Sequence, residues 1–411
     1  MKQAMRDGSK RLILIGGGHA HLRLLHRIPE LVARNVEVTV LDGRPELWYS
    51  GMMPAVLGGM VTMEAARIPI REIATRHGAT FVQQQATHID HRRRTVETDG
   101  GEYAWDVASI AVGSRVVPPI PVSPEAEVMS AKPVARLPEL LSATVRRLEA
   151  TSTQSVRVVF IGGGASAVEL SGNLARGIRK RDPHWGERLD LTIVTRGASL
   201  IPRMPAAAQQ ICYDSLTARG VRVLSNSTPR YVSSSAVDLE GGPSVPTDIT
   251  VFCTGLSAPS VIATSGLPHG NHGELVVRDT LRTADAPIYG GGDCIGIDGI
   301  ELERIGVHAV RQSGILEYNV LQELAGASPA TLQRYVPPPA PLLILNLGDG
   351  TGVVVKGRRV IHGRLPYRVK ERIDWAFVRS GGTRIRPALH GPPRPGNVLG
   401  RGHTSRRGNV G

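Results

Sequence analysis

Residues 11–42, RLILIGGGHAHLRLLHRIPELVARNVEVTVLD, decide how this chain is read. Leu12-Ile13-Leu14-Ile15 is an apolar run with the length of a strand buried on both faces. Gly16-Gly17-Gly18-His19-Ala20-His21 follows, leading into a helical pattern at Leu22, Leu25 and Ile28. A second strand pattern, Val36 to Leu41, ends on Asp42. Strand, glycine turn, helix, strand and terminal acid make a dinucleotide-binding unit. Gly16 permits the tight turn, and Gly18, His19 and Ala20 bring backbone N–H groups to a pyrophosphate at the positive end of the helix. Asp42 is placed to accept from a ribose diol. The third glycine position, where helix presses on strand, is occupied by His21.

The unit recurs. Val156 to Ile161 is a second apolar strand, and Gly162-Gly163-Gly164-Ala165-Ser166-Ala167 reads G-x-G-x-x-A into a helix carrying Glu169. The next strand, Leu189 to Val194, ends on Thr195-Arg196, with no acid. Arg196 reads either as a partner for a ribose 2′-phosphate or as a solvated loop cation. Between the two units, Val107 to Val112 is a buried strand stopping at Gly113-Ser114. Pro118, Pro119, Pro121 and Pro124 then mark a linker. Asp248 to Gly255 repeats the strand-to-glycine pattern, and Ile288 to Cys294 is a strand, a glycine turn and the acid Asp293. A chain that binds two dinucleotides is most simply one that passes a hydride from a nicotinamide to a flavin.

At 411 residues, with 4% aromatic content and 47 glycines, the chain suits a multidomain α/β protein. Its three cysteines, Cys212, Cys253 and Cys294, are too far apart for a zinc motif or a disulfide framework, and no metal site is expected. No apolar run reaches membrane-spanning length, and Met1 to Lys10 has no apolar signal core, so a cytoplasmic protein is expected. The net charge of +13 is concentrated: residues 356–411 carry 14 Lys and Arg against Glu371 and Asp374. The rest of the chain is close to neutral, so the basic charge belongs to a C-terminal appendage.

The order of these motifs resembles the pyridine nucleotide–disulfide oxidoreductase superfamily, the flavoproteins with two dinucleotide-binding domains. The resemblance spans residue 11 to about 330. It implies that Gly16, Gly18 and Asp42 hold the adenosine half of FAD and that Asp293 contacts its ribityl or pyrophosphate. Gly162, Gly164 and Glu169 would hold NAD(P)H, and Gly113 and Gly255 would end the strands that link the domains. The disulfide reductases of the superfamily carry a Cys-x4-Cys pair where this chain reads Ser50-Gly51-Met52-Met53-Pro54-Ala55, so a dithiol relay is excluded there. Within the superfamily the chain is most similar to the type II NADH dehydrogenases and to a bacterial branch linked to selenide, water dikinase, and the motifs at 16–21, 49–52 and 306–312 look like that branch. Type II dehydrogenases carry Ala-Gln-x-Ala-x-Gln beside the quinone. The aligned residues here are Val307, His308, Val310 and Gln312, which keep only the last Gln.

The expected fold is therefore α/β, with two Rossmann-like domains, the second inserted in the first. Residues 1–118 with 256–336 form the FAD domain and 119–255 the NAD(P) domain. A hairpin and amphipathic helix (337–380) follow, then a disordered basic tail (381–411). Ser50 and Gly51 are read as capping a helix near the flavin, or as a plain loop. His308 and Gln312, one helical turn apart, are catalytic candidates. Lys132, at the domain crossover, either approaches the flavin or stays on the surface. Val369, Ile373, Ala376 and Phe377 share a helix face flanked by Arg368, Lys370, Arg372 and Arg379. Residues 366–379 thus fit peripheral contact with the inner face of the cell membrane, packing on the body, or a contact between copies. No specific nucleic acid is expected, for no base-stacking aromatics accompany the charge. The electron acceptor is a small molecule with quinone among the candidates. The alternatives are a soluble reductase of a protein or of a selenium or sulfur compound, and a redox sensor of the apoptosis-inducing-factor kind.

Overall fold

The computed structural model describes residues 8–382. Its parallel strands, in chain order, are β1 (Lys10–Ile15), β2 (Val36–Leu41), β3 (Thr80–Val82), β4 (Val107–Ile110), β5 (Val128–Ser130), β6 (Val156–Ile161), β7 (Leu189–Val194), β8 (Arg222–Leu224), β9 (Ile249–Phe252) and β10 (Ile288–Gly290). They form two five-stranded parallel sheets, ordered β10-β4-β1-β2-β3 and β5-β9-β6-β7-β8. Leu12, Ile13, Leu14 and Ile15 are each at most 1% exposed, as expected of strands with helices on both faces. In each sheet the first glycine turn leaves the central strand, β1 or β6, at its carboxyl end. That is where ligands sit in open α/β sheets.

Each sheet carries a three-stranded antiparallel addition, residues 86–104 on the first and 229–246 on the second. The two crossings between the sheets run side by side: Arg115–Val116 pairs antiparallel with Leu256–Ser257. Gly113 and Gly255 stand just before these segments, and the Val117 amide donates to the Gly255 carbonyl at 3.0 Å.

Helix α1 (Ala165–Arg181) follows the second glycine turn and helix α2 (Gly306–Leu324) lies against the first. The C-terminal region is a three-stranded meander, β11 (Leu343–Asn346), β12 (Gly352–Lys356) and β13 (Arg359–Gly363), running into α3 (Arg364–Arg379). The hairpin across Gly348-Asp349-Gly350 is as the sequence reads, and β13 extends it by a strand. The face of α3 differs from expectation. Phe377, Lys370 and Asp374 turn inward with Pro366, while Val369 and Ala376 face out. Nearly all of the expected tail, 381–411, lies outside the described residues. No helix among those described is long and apolar enough to cross a membrane.

Candidate functional site

The first glycine turn is built against β4. Gly16 has φ +88°, a left-handed conformation that β-carbons oppose, and its amide bonds the Leu41 carbonyl at 2.7 Å. A β-carbon on Gly18 would lie 2.2 Å from the carbonyl oxygen of Ala111. The Gly18 amide donates to that same oxygen at 3.1 Å. The Gly18 amide is thus engaged by the sheet, and close approach to Ala111, just past β4, by itself demands glycine. Asp42 accepts from the Gly17 amide at 2.6 Å and the Arg44 amide at 2.9 Å. A carboxylate has about four acceptor positions, so capacity for a diol remains.

His21 does not obstruct the turn. It is fully buried beneath it, with Nδ1 2.6 Å from the Gly16 carbonyl and Nε2 2.8 Å from Ser109 Oγ on β4. A carbonyl can only accept, so Nδ1 carries the proton and Nε2 accepts from the serine. Burial pushes the imidazole down to about 4, which keeps it neutral.

A polar cluster closes the other side. Asp293 pairs with Lys132 Nζ and accepts from Ser114 Oγ at 3.0 Å, and Lys132 also reaches Ser114 at 3.2 Å. Burial alone would raise the Asp293 carboxyl, but the Lys132 ammonium and these hydrogen bonds hold it below its usual range. Lys132 thus points inward, and the surface reading of it is set aside. His19 stands nearby, pushed down to about 4 by burial. Its ring stacks 6.0 Å from Phe377 and sits 5.6 Å from Tyr49. Ala20 packs under Gly291, where a β-carbon would come within 2.6 Å of it.

Gln312 and His308 share a buried face of α2, as their spacing requires. Gln312 Oε1 accepts the Gly292 amide at 2.7 Å and so fixes the turn that carries Asp293. That contact makes Gln312 a positioning residue. His308 Nδ1 lies 2.7 Å from Tyr335 Oη. Ser50 does not cap the helix Met53–Leu57, whose N-cap is Met52. Instead Ser50 Oγ faces Gly306 at the start of α2. The Gly51 carbonyl accepts from Lys370 Nζ at 2.6 Å.

At the second turn, Gly162 has φ +117° and Gly164 is open to solvent at the start of α1. Arg196 is exposed. Glu169 lies one turn into α1 but points toward the C-terminal region, where Oε1 accepts the Asn346 amide at 2.8 Å. Burial pushes its carboxyl up to about 7, opposed by the Lys370 ammonium. Lys370 pairs with Asp374 at 2.6 Å, and Tyr49 Oη donates to Asp374 at 3.1 Å. Sequence reasoning missed Ser109, Ser114, Tyr49, Asn346, Lys370 and Asp374. Lys370 and Asp374 left a signal as an opposite-charge pair at i, i+4 on the face shared with Phe377, and Tyr49 and Ser114 lie in the 49–52 motif and at the strand end already noted.

Two glycine turns on parallel sheets, an acid after the first, and a second acid on a glycine turn beside it describe one family. Residues 10–313 match the model for the pyridine nucleotide-disulphide oxidoreductases. The chain belongs to this family. It is an oxidoreductase, as the resemblance in the sequence implies. It is 25% identical over 356 residues to demethylphylloquinone reductase NdbB of Synechocystis sp., covering 81% of this chain and 84% of that one. The fold is similar to sulfide:quinone oxidoreductase of Aquifex aeolicus, with TM-score 0.75 at 19% identity over 91% of this chain and 92% of that one. It is equally similar to NDH2 of Plasmodium falciparum in complex with NADH, with TM-score 0.75 at 13% identity, covering 91% and 99%. These last two likenesses concern the fold alone.

Proposed function

We propose that this family member is an FAD-dependent NAD(P)H dehydrogenase that passes electrons to a small acceptor, a quinone by preference. The observation that carries the reading is the pairing of two glycine-turn sheets through the antiparallel crossing at Arg115–Val116 and Leu256–Ser257. FAD would be held by 1–118 with 256–336, and NAD(P)H by the 119–255 unit through Gly162, Gly164 and Arg196. A quinone is favoured because the quinone-named relative covers most of the chain.

The first site fits a flavin nucleotide. Asp42 keeps acceptor capacity at the adenosine end. At the other end His19 Nε2 and Gln312 Nε2 are both buried with no hydrogen-bond partner among the described residues, a state that costs about 1–3 kcal/mol each and that a polar ligand would relieve. FAD, when bound, supplies the two-electron chemistry that joins a hydride donor to the acceptor. The chain's own residues bind and orient. Lys132 and Ser114 hold Asp293 ionised, and Gln312 fixes its turn. Phe377, Tyr49 and His19 form an aromatic wall, with Tyr49 and Phe377 centroids 4.7 Å apart. Glu169, protonated below about 7, is the group suited to hold a proton for the acceptor side.

A soluble reductase that works through a dithiol finds no support. All three cysteines are free, and two of them are fully buried. Burial pushes Cys253 up to about 12 and Cys294 up to about 11, far from thiolate chemistry.

The test is anaerobic stopped-flow spectroscopy of the FAD-loaded protein. NADH or NADPH is expected to bleach the flavin absorbance, and a short-chain ubiquinone or menadione to restore it. Failure to bind FAD, or failure to bleach with either nucleotide, would overturn the proposal. Bleaching with no return on quinone addition would remove the quinone.

A further inference from the structure

Away from both glycine turns, a cleft of about 340 Å³ opens between α1, the segment after the helix Ala206–Thr217, and the β11–β12 turn. It is lined by Arg176, Arg179, Lys180, Arg219, Gly348 and Asp349. Four cations thus meet one carboxylate. Among the described residues none of the four forms an ion pair within 4.0 Å.

The arrangement is built rather than incidental. Arg219 is fixed by its Nε to the Ser215 carbonyl (2.8 Å), its Nη1 to the Gly172 carbonyl (3.1 Å) and its Nη2 to the Leu347 carbonyl (2.7 Å). Arg179 Nη2 donates to the Arg219 carbonyl at 3.1 Å and Lys180 Nζ to the Gly59 carbonyl at 2.5 Å. Asp349 is occupied by Ser215 Oγ at 2.7 Å and by Thr351. Arg176 makes no hydrogen bond with a described residue, and its Nε is buried without an acceptor. Basic residues near a helix C-terminus are favoured by the helix dipole, which accounts for Arg179 and Lys180. It does not account for the half-buried Arg176, whose Nε is buried without an acceptor, beside a second, desolvated guanidinium whose carboxylate neighbour is engaged elsewhere. Like charges held together in a concave site favour a multivalent anion, and guanidinium forks match phosphate oxygens.

We propose that this cleft is a binding site for a phosphate-bearing anion, distinct from the two dinucleotide sites. Arg176 is the principal unsatisfied donor, and Arg219 is the fixed positive wall. Two sources share this chemistry, a soluble phosphorylated compound and a phospholipid headgroup. Gly348, which lines the cleft, stands two residues from Asn346, whose amide binds Glu169.

The experiment uses the full chain with FAD and NAD+ in excess, so that both glycine turns are filled. Inorganic pyrophosphate is titrated by calorimetry at constant ionic strength, and binding to phosphatidylglycerol vesicles is compared with binding to phosphatidylcholine vesicles. Arg176→Met removes a cation without breaking an internal bond. Arg179→Glu with Lys180→Glu reverses two exposed charges. Saturable pyrophosphate binding, weakened at least tenfold by Arg176→Met and lost in the double variant, supports the site with a soluble ligand. Vesicle binding weakened by the same variants, without pyrophosphate binding, supports the headgroup source. Binding in both assays that is the same in wild type and variants, or no binding in either, overturns the proposal. Circular dichroism and flavin content of the variants separate loss of the site from loss of the fold.

Discussion

Ser109 Oγ lies 2.8 Å from Nε2 of His21, and the other ring nitrogen reaches the Gly16 carbonyl at 2.6 Å. One fully buried side chain therefore ties the first glycine turn to the neighbouring strand β4. His21→Ala would remove both bonds, open a cavity and leave two buried polar groups without partners. A loss of about 2–4 kcal/mol in urea unfolding is expected, with weaker FAD retention. Ser109→Ala, which removes one bond, is expected to cost about 1 kcal/mol. A His21→Ala protein within 1 kcal/mol of wild type would refute the tie (about one net hydrogen bond).

The same histidine gives stability a pH dependence. Its native value is about 4 and its ordinary value 6.5. Between these the unfolded chain binds the extra proton, so this contribution rises with pH and is lost as pH falls through the window. At pH 4 the loss is about 3 kcal/mol from this residue alone. His21→Gln should reduce the slope of stability between pH 4 and 6.5 in urea titrations, leaving the part that His19, also held near 4, contributes.

Lys132 and Asp293 form a largely buried ion pair bridging the segment after β5 and the Gly292 turn. Breaking such a pair from one side costs more than forming it gains, because a desolvated charge remains. Lys132→Met should therefore destabilise by about 3 kcal/mol and raise the Asp293 carboxyl. Asp293→Asn with Lys132→Met should recover part of that stability while flavin affinity, read by fluorescence quenching, stays low. Recovery of affinity together with stability would show that Asp293 has no part in the flavin site.

Glu169 has the opposite sign of linkage to His21. Its ordinary value is 4.5 and its native value about 7, so the folded chain binds the extra proton in that window and this contribution falls as pH rises. On the proposed function, acceptor reduction should show a limb near pH 7 that disappears in Glu169→Gln. Flavin bleaching by NADH should keep its rate in the same variant. A profile unchanged by Glu169→Gln would remove Glu169 from proton handling.

The two sheets were legible because strands buried on both faces spell uninterrupted apolar runs, and because a turn as tight as that at Gly16 admits little but glycine. His21 stood in the sequence as a departure from pattern. Its meaning lay in Ser109, 88 residues away, which no local spacing reports. Lys132 was ambiguous for the same reason: its partner is 161 residues distant. Glu169, early in the helix after the second turn, is assigned to the nucleotide by the family resemblance, yet the amide it accepts, that of Asn346, comes from the C-terminal meander. The helix α3 was read correctly as amphipathic and wrongly as to face. Lys370 and Asp374 satisfy each other, and a satisfied pair can be buried where hydropathy alone places it outside.

That inward pair leaves the outer face of α3 for another role. Leu365 is 71% exposed, Val369 40% and Ile361, just before the helix, 60%. Arg364, Arg368 and Arg372 are exposed beside them. A row of apolar side chains flanked by arginines suits an anionic bilayer surface, where each nearby cation contributes about 1 kcal/mol. The body-packing alternative is already met by Phe377, so it does not use these residues. Leu365→Asp with Val369→Asp should abolish co-sedimentation with phosphatidylglycerol vesicles. Stability should change by less than about 0.5 kcal/mol, as expected for surface positions. Raising salt should weaken wild-type binding as screening shortens the reach of the arginines. If the double variant pellets with vesicles as wild type does, α3 is not the membrane contact, and size-exclusion chromatography of the two proteins then decides whether the same face joins two copies of the chain.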